Sequence, residues 1–310
     1  MGETIEGTAR IMVEMASPYG LGPVGDWRWV KEDESPAIAM LRAGGRRYVA
    51  RLFSGEDALP RAAYISELAL HLGSAGVVVE EVVRTASGEP FASPPSGMPM
   101  ILSHFHPDSP LPVPFDADVA RSWGRYVAVM HAACRDWCPP APLPSPWLRD
   151  DPGTVLGRAL GLARSTPSFR AMLEDASERI IRCWEGAPAT QPVHGDLWPG
   201  NLLGGRQGLR AIDFAEAGEG PRTIDLATAF RWMPWRDNPA GAARSWEAWL
   251  AGYTEVGTLS QAELDAVPQV ACLQHLIWMV AEVGASPGGA ESSWYIEDHC
   301  SAVQALLAAS

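Results

Sequence analysis

Apolar and polar residues alternate over short stretches in the first hundred positions and recur at helical spacing through most of the remaining chain. From Trp27 to Phe53 the chain reads strand, turn, strand, turn, strand. The strands are Trp27 to Val30, Ala37 to Leu41 and Tyr48 to Phe53, and the turns are Asp33-Glu34-Ser35-Pro36 and Gly44-Gly45. After Pro60, Leu68 and Leu72 stand one helical turn apart within Ala63 to Leu72, and Gly73 and Gly76 supply a stop. Val77-Val78-Val79 and Met98 to Leu102 read as two further strands, which predicts a small antiparallel sheet of five strands with one inserted helix.

Pro107 to Pro114 places four prolines in eight residues, a composition that suits an extended crossover better than a packed element. Beyond it the periodicity predicts helices over Val119 to Ala133, Val155 to Arg164, Ser168 to Cys183, Ile224 to Arg231, Ala242 to Thr254 and Val267 to Val283. One short β-rich island, Val193 to Phe214, interrupts them. No internal repeat is present, and the two halves differ in class.

The chain has 310 residues, 47% of them hydrophobic, enough for a sizeable core in one large domain or two lobes. Glycine (30) and proline (27) are scattered without a period, which excludes a collagen-like chain. The net charge of −13 argues against a nucleic-acid partner, because phosphate neutralisation needs a basic surface. Lys31 is the single lysine, so chemistry that needs a lysine has one candidate. The first 25 residues carry Glu3, Glu6 and Glu14 and no apolar segment, and no run approaches about 18 apolar residues. A cytoplasmic protein without membrane contact is expected. Five cysteines, at 134, 138, 183, 272 and 300, are an odd number and argue against a disulfide framework.

The island carries the candidate chemistry. It reads Val193-His194-Gly195-Asp196-Leu197-Trp198-Pro199-Gly200-Asn201, and later Ala211-Ile212-Asp213-Phe214. An acid at 196, an amide at 201 and a second acid at 213 suit phosphoryl transfer. One carboxylate orients and deprotonates a hydroxyl, and an amide oxygen with a second carboxylate holds Mg²⁺ on nucleotide phosphates.

This block resembles the catalytic and metal loops of the protein-kinase-like fold, in the aminoglycoside phosphotransferase and choline/homoserine kinase branch. His-Gly-Asp, Asn five residues after the Asp, and Ile-Asp-Phe all stand here in order. The resemblance implies a two-lobe α+β fold: a nucleotide-binding lobe over 1–103, a hinge and crossover over 104–114, and a helical lobe over 115–310. It also implies a kinase using ATP or GTP with Mg²⁺, with Asp196 as the catalytic acid or base and Asn201 and Asp213 as metal ligands. His194 is taken as a loop histidine that supports its neighbours.

In this fold a cation ends the third strand and an acid on the next helix orients it; Arg51 and Glu67 stand at those positions. Arginine is always charged and offers a fork to phosphate oxygens. A strand-end surface charge for Arg51 and an ordinary helix charge for Glu67 are the competing readings. Gly20 to Gly25 spells G-x-G-x-x-G but precedes the first strand and contains Pro23, so the phosphate loop is assigned to 33–36, where Ser35 offers a hydroxyl or a backbone N–H. Ile101 to His106 occupies the hinge, where backbone groups of His104 and His106 would face the adenine. His104 and His106, or His131 with Cys134 and Cys138, could instead mark a metal site, but each lacks further ligands, and packing is preferred.

Glu216, Glu219 and Asp225 follow the metal acid and are candidate acceptor contacts, with helix-terminal structure the competing role for Asp225. Of 13 tryptophans, Trp198, Trp232 and Trp235 are expected near the acceptor. Residues 104–310 carry 15 basic and 24 acidic groups, so a cationic acceptor is expected, with Glu282 and Asp298 added as candidates. A small molecule bearing a hydroxyl is the expected substrate. An antibiotic, with resistance as the consequence, comes first; homoserine, choline or a sugar comes next, then a protein serine/threonine of the stress-response kinase type. A nucleotide-binding pseudokinase is the non-enzymatic alternative.

Overall fold

Strands β1 (Val24–Lys31), β2 (Ala37–Ala43) and β3 (Arg46–Leu52) form an antiparallel meander in the computed structural model. The structure describes residues 16–32, 35–93, 98–113, 115–139, 141–163, 167–186, 190–285 and 290–309. Asp33, Glu34, Pro114 and Arg164, which belong to expected elements, lie outside these residues. The β2–β3 turn is Gly44-Gly45, with φ of 55° and 77°. A two-residue hairpin of this type needs positive φ at both positions, which glycine adopts without strain.

Helix α1 (Ala58–Ser74) follows, and β4 (Met100–His104) pairs antiparallel with β3. The sheet therefore has four strands in the order β1-β2-β3-β4, and not the five expected. Val77 to Val79 is the difference. Val79 bridges in parallel to Ala211, and only the residues after the run reach the sheet, where Val82 makes a single bridge to Ser103 of β4.

The remaining elements are β5 (Ser109–Pro110), α2 (Ala117–Cys134), α3 (Pro152–Leu162), α4 (Pro167–Glu185), β6 (Gln191–Val193), β7 (Leu202–Gly205), β8 (Gly208–Ala211), β9 (Gly218–Gly220), α5 (Thr223–Arg231), α6 (Pro239–Thr254), α7 (Gln261–Ala285) and α8 (Ala290–Ala308). Caps set several boundaries: Asp116, Asp151 and Asn238 accept the N–H of Val119, Thr154 and Gly241 at the starts of α2, α3 and α6. α7 begins six residues before its expected start at Val267. Ser260 Oγ accepts the Glu263 N–H at 3.2 Å and Glu263 Oε2 accepts the Ser260 N–H at 2.9 Å, a capping box that outweighs Pro268 inside the helix.

The chain divides into two compact units, one of residues 1–109, 136–143 and 204–215, the other of 110–135, 144–203 and 216–310. The core of the first is the inner face of the sheet, with Leu41, Tyr48, Leu52, Met100 and Leu102 packed under Tyr19. The Tyr19 hydroxyl donates to the Met100 carbonyl at 2.6 Å and accepts from Ala92. In the second unit α2 packs on α6 and α7 packs on α3, α4, α5 and α8. A methyl group on Gly124 would run into the Trp249 carbonyl, and one on Gly252 into that of Arg121, so these two glycines set the close approach of α2 and α6.

Among the described residues one helical segment, Gln261–Val283, is long and apolar enough to cross a membrane, with a mean hydropathy of 1.2. The sequence pattern alone showed no such run. Over its most apolar window 61% is buried inside the protein, as befits a helix packed on four others.

Candidate active site

The second unit builds Asp196 into a braced loop. Asp225, at the start of α5 and 1% exposed, accepts the backbone N–H groups of His194 at 3.0 Å and Gly195 at 2.8 Å. His131 Nε2 lies 2.9 Å from the same carboxylate, and its Nδ1 lies 2.9 Å from the Tyr253 hydroxyl. Arg222 donates to that hydroxyl and to Glu263, so a polar chain runs from the loop to the cap of α7. Burial alone would raise the Asp225 carboxyl, but the hydrogen bonds from His131 and His194 and their charge hold it below its ordinary value. Asp225 is thus a brace enclosed in the protein, which corrects its candidacy as an acceptor contact. Gly195 has φ of 82°, and a methyl group there would collide with the Glu216 carbonyl, so only glycine fits.

Asp196 itself is within reach of solvent, its side chain 22% exposed. Asn201 Nδ2 donates to its carbonyl at 2.9 Å and to its Oδ2 at 3.1 Å, and Arg231 Nη2 stands 3.3 Å from Oδ1. Both of these Asn201 hydrogen bonds use the amide nitrogen, so Oδ1 is the atom suited to a cation. Trp198 stacks on Trp232 with centroids 4.5 Å apart, and Trp235 donates to the Phe230 carbonyl at 2.7 Å. Three expected acceptor residues therefore gather near α5. Glu216 and Glu219 lie on the turn and strand after Asp213, their carbonyls taking the Ser145 Oγ–H and N–H. Glu282 pairs with His299 at 3.0 Å and Asp298 with Arg236 at 2.6 Å, so both acids already have cationic or polar partners.

The first unit holds Arg51 and Asp213 together. Asp213 is the one non-glycine residue with positive φ, 64°, among the described residues, a conformation held by its surroundings. Arg51 is 4% exposed and donates from Nε to Asp213 Oδ1 at 3.3 Å and from Nη1 to Glu80 Oε2 at 2.6 Å. Ser103 Oγ also donates to Glu80 Oε2, at 2.9 Å. The expected Arg51–Glu67 pair is therefore corrected: Glu80, after the apolar run 77–79, orients the guanidinium, while Glu67 is half-buried on α1 without that contact. Arg61 on α1 donates to the Ala215 carbonyl and ties the segment after Asp213 to the helix.

Ser35 Oγ exchanges hydrogen bonds with the Ser54 backbone at 3.2 and 3.3 Å, so its hydroxyl is already engaged. The His104 N–H goes to the Glu81 carbonyl at 2.9 Å, which engages that one of its backbone groups, and the His104 ring lies against Tyr48. His106 Nε2 is buried without a partner, and burial together with the Arg210 charge lowers the pKa of its ring. Among the described residues no group of three or more His, Cys, Asp or Glu side chains forms a metal cage. Cys134 is buried, which pushes its thiol up to about 12.

Hard oxygen donors, an amide and a carboxylate, suit a small divalent cation such as Mg²⁺. Asn201 and Asp213 both fit that requirement, each with one oxygen outside the hydrogen bonds described above. Sequence reasoning missed Glu80 and Arg231, and it read His131 as packing without its contact to Asp225. Glu80 could have been found as a charge directly after an apolar run; Arg231 and His131 sit in helices with no local signal.

Comparison with known proteins places these geometries in context. A model described as "Phosphotransferase enzyme family" matches residues 27–259. A homoserine kinase from Granulibacter bethesdensis is 24% identical over 274 residues, covering 85% of this chain and 82% of that protein. Stress response kinase A from Salmonella paratyphi A is 29% identical over 108 residues, 34% of this chain and 31% of its own. Among solved structures, amicoumacin kinase in complex with AMP-PNP, Ca²⁺ and Ami superposes with a TM-score of 0.76 at 15% identity, over 98% of this chain and 96% of that one. A microcompartment-associated aminopropanol kinase superposes with a TM-score of 0.68 at 18% identity, over 96% and 95%. These two structures share the fold.

Proposed function

This chain belongs to the phosphotransferase enzyme family and is a kinase, and from that premise we propose that it moves the terminal phosphoryl group of ATP or GTP, carried with Mg²⁺, to a hydroxyl of a small molecule. The observation that carries the reading is the state of Asp196. Its carboxylate is reachable, and Asn201 and Arg231 each hold one of its oxygens. A fixed, ionised carboxylate orients the acceptor hydroxyl and accepts its proton as the new P–O bond forms, while the nucleoside diphosphate leaves.

Asn201 Oδ1 and a carboxylate oxygen of Asp213 are assigned to the divalent ion, which supplies charge neutralisation on the phosphates when bound. Arg51 serves the nucleotide side as a fixed cation oriented by Glu80. ATP and Mg²⁺ are the preferred donor and ion. The fold shared with amicoumacin kinase supports an antibiotic acceptor and resistance; the long match to a homoserine kinase supports a metabolite acceptor. Five unpaired cysteines accord with a cytoplasmic enzyme.

The test is nucleotide consumption over a library of hydroxyl compounds, with Asp196→Asn as the control. Acceptor-dependent release of the diphosphate that the variant lacks is the expected outcome. Full activity in Asp196→Asn removes the assignment.

A further inference from the structure

Beside the catalytic loop, the second unit contains a cavity of about 300 Å³ whose wall includes Arg231, Trp232, Trp235, Arg236, His275 and Asp298. Arg231 belongs at once to this wall and to Asp196, from which its Nη2 is 3.3 Å. Its side chain is 2% exposed, its guanidinium lies 3.9 Å over the Trp278 ring, and its Nε has no hydrogen-bond partner among the described residues. Trp232 Nε1, on the same wall, is also buried without a hydrogen-bond partner among the described residues.

We propose that this cavity is the acceptor subsite and that it selects a hydroxyl compound bearing a carboxylate on an apolar or aromatic body, the carboxylate pairing with Arg231. The proposal rests on the kinase reading above and reverses the cationic acceptor expected from net charge.

A buried cation whose one carboxylate partner is at 3.3 Å is poorly compensated, and unpaired buried donors favour an oxygen that reaches them. Burial lowers the Arg231 pKa to about 10, so it remains a cation at neutral pH. Beyond Arg231 the wall carries Arg236, Asp237 and Asp298, and both carboxylates are engaged by Arg236. Asp298 and Asp237 stand 2.6 and 3.5 Å from Arg236. Burial, then the Arg231 charge, lowers His275 to about 3, which keeps its ring neutral. Met233, Pro234, Ala305 and Leu306 complete an apolar wall for the body of the ligand. The chain's net negative charge repels anions at long range, but screening limits that field to roughly 8 Å at physiological salt, whereas Arg231 acts at contact.

The experiment uses three matched probes, 3-phenylpropionate, 3-phenylpropionamide and 3-phenylpropylamine, titrated by tryptophan fluorescence and calorimetry. The carboxylate is expected to bind at least about tenfold more tightly than the amide or the amine, the scale of one charge-assisted contact. Arg231→Gln should abolish that preference and Arg231→Lys should restore part of it. Ala305→Phe, which fills the cavity from a half-buried position, should block all three probes and keeps the test readable if Arg231→Gln does not fold. Equal binding of the probes, preference for the amine, or no carboxylate binding by protein that still binds Mg·ATP overturns the subsite. Turnover of hydroxyl acceptors is read separately. Carboxylate preference without turnover of any acceptor leaves the subsite and removes the kinase reading. Turnover of acceptors lacking a carboxylate, at a rate that Ala305→Phe does not change, leaves the kinase reading and removes the subsite.

Discussion

The carboxylate of Asp225 receives the backbone N–H of Gly195 at 2.8 Å, joining the first turn of α5 to the residue before the candidate base. With the His194 N–H and the His131 ring on the other oxygen, one buried acid holds two loop N–H groups and one helix side chain. Asp225→Asn keeps the shape but turns an NH₂ group toward a donor. A loss of about 3 kcal/mol in unfolding free energy is expected, the scale of a broken buried pair, measured by urea denaturation.

The same residue makes stability depend on acid. The Asp225 carboxyl is held below its ordinary 3.8 in the folded protein, so its contribution is complete above that value and is lost as pH falls through the folded pKa. The stability gap between wild type and Asp225→Asn should therefore be flat at neutral pH and close below about pH 4. A gap that widened on acidification would contradict this linkage.

Asp196→Asn should reduce kcat by about 10²–10⁴, the contribution of a positioned proton acceptor, with Mg·ATP affinity changed by less than about threefold. Rapid-quench measurement with a turned-over acceptor separates the two. A raised KM for ATP with intact kcat would place Asp196 on the nucleotide.

Glu80 and Glu67 offer a direct comparison. Glu80→Gln removes a buried partner from Arg51 and should cost about 3–5 kcal/mol of stability and weaken nucleotide binding. Glu67→Gln, without that contact, should stay within about 0.5 kcal/mol of wild type. Thermal melts with and without Mg·ATP rank the pair; equal effects would restore Glu67 as the orienting acid.

Gly124→Ala should destabilise by about 1–3 kcal/mol, because the added methyl meets the Trp249 carbonyl and forces α2 from α6. Gly157→Ala, in α3 and open to solvent, is the control and should stabilise by about 0.5–1 kcal/mol.

Features that depend on local spacing were legible along the chain. The Gly44-Gly45 hairpin, the β meander, six of the helices and the ordered block His194 to Phe214 are each written within a few residues of themselves, because φ preferences, caps and helical period act at short range. Ser260 and Glu263 were equally local, and their capping box marks a helix start that Pro268 disguised. Long-range packing chose the partners. Arg51 reaches Glu80 and Asp213, 29 and 162 residues away, and no periodicity ranks Glu80 above Glu67. Val79 pairs with Ala211 and not with the N-terminal sheet, a choice between two apolar edges. Asp225 became a brace and Arg231 a buried cation through burial and long-range contact, and net charge, a sum over the whole surface, says nothing about which charge stands inside a cavity.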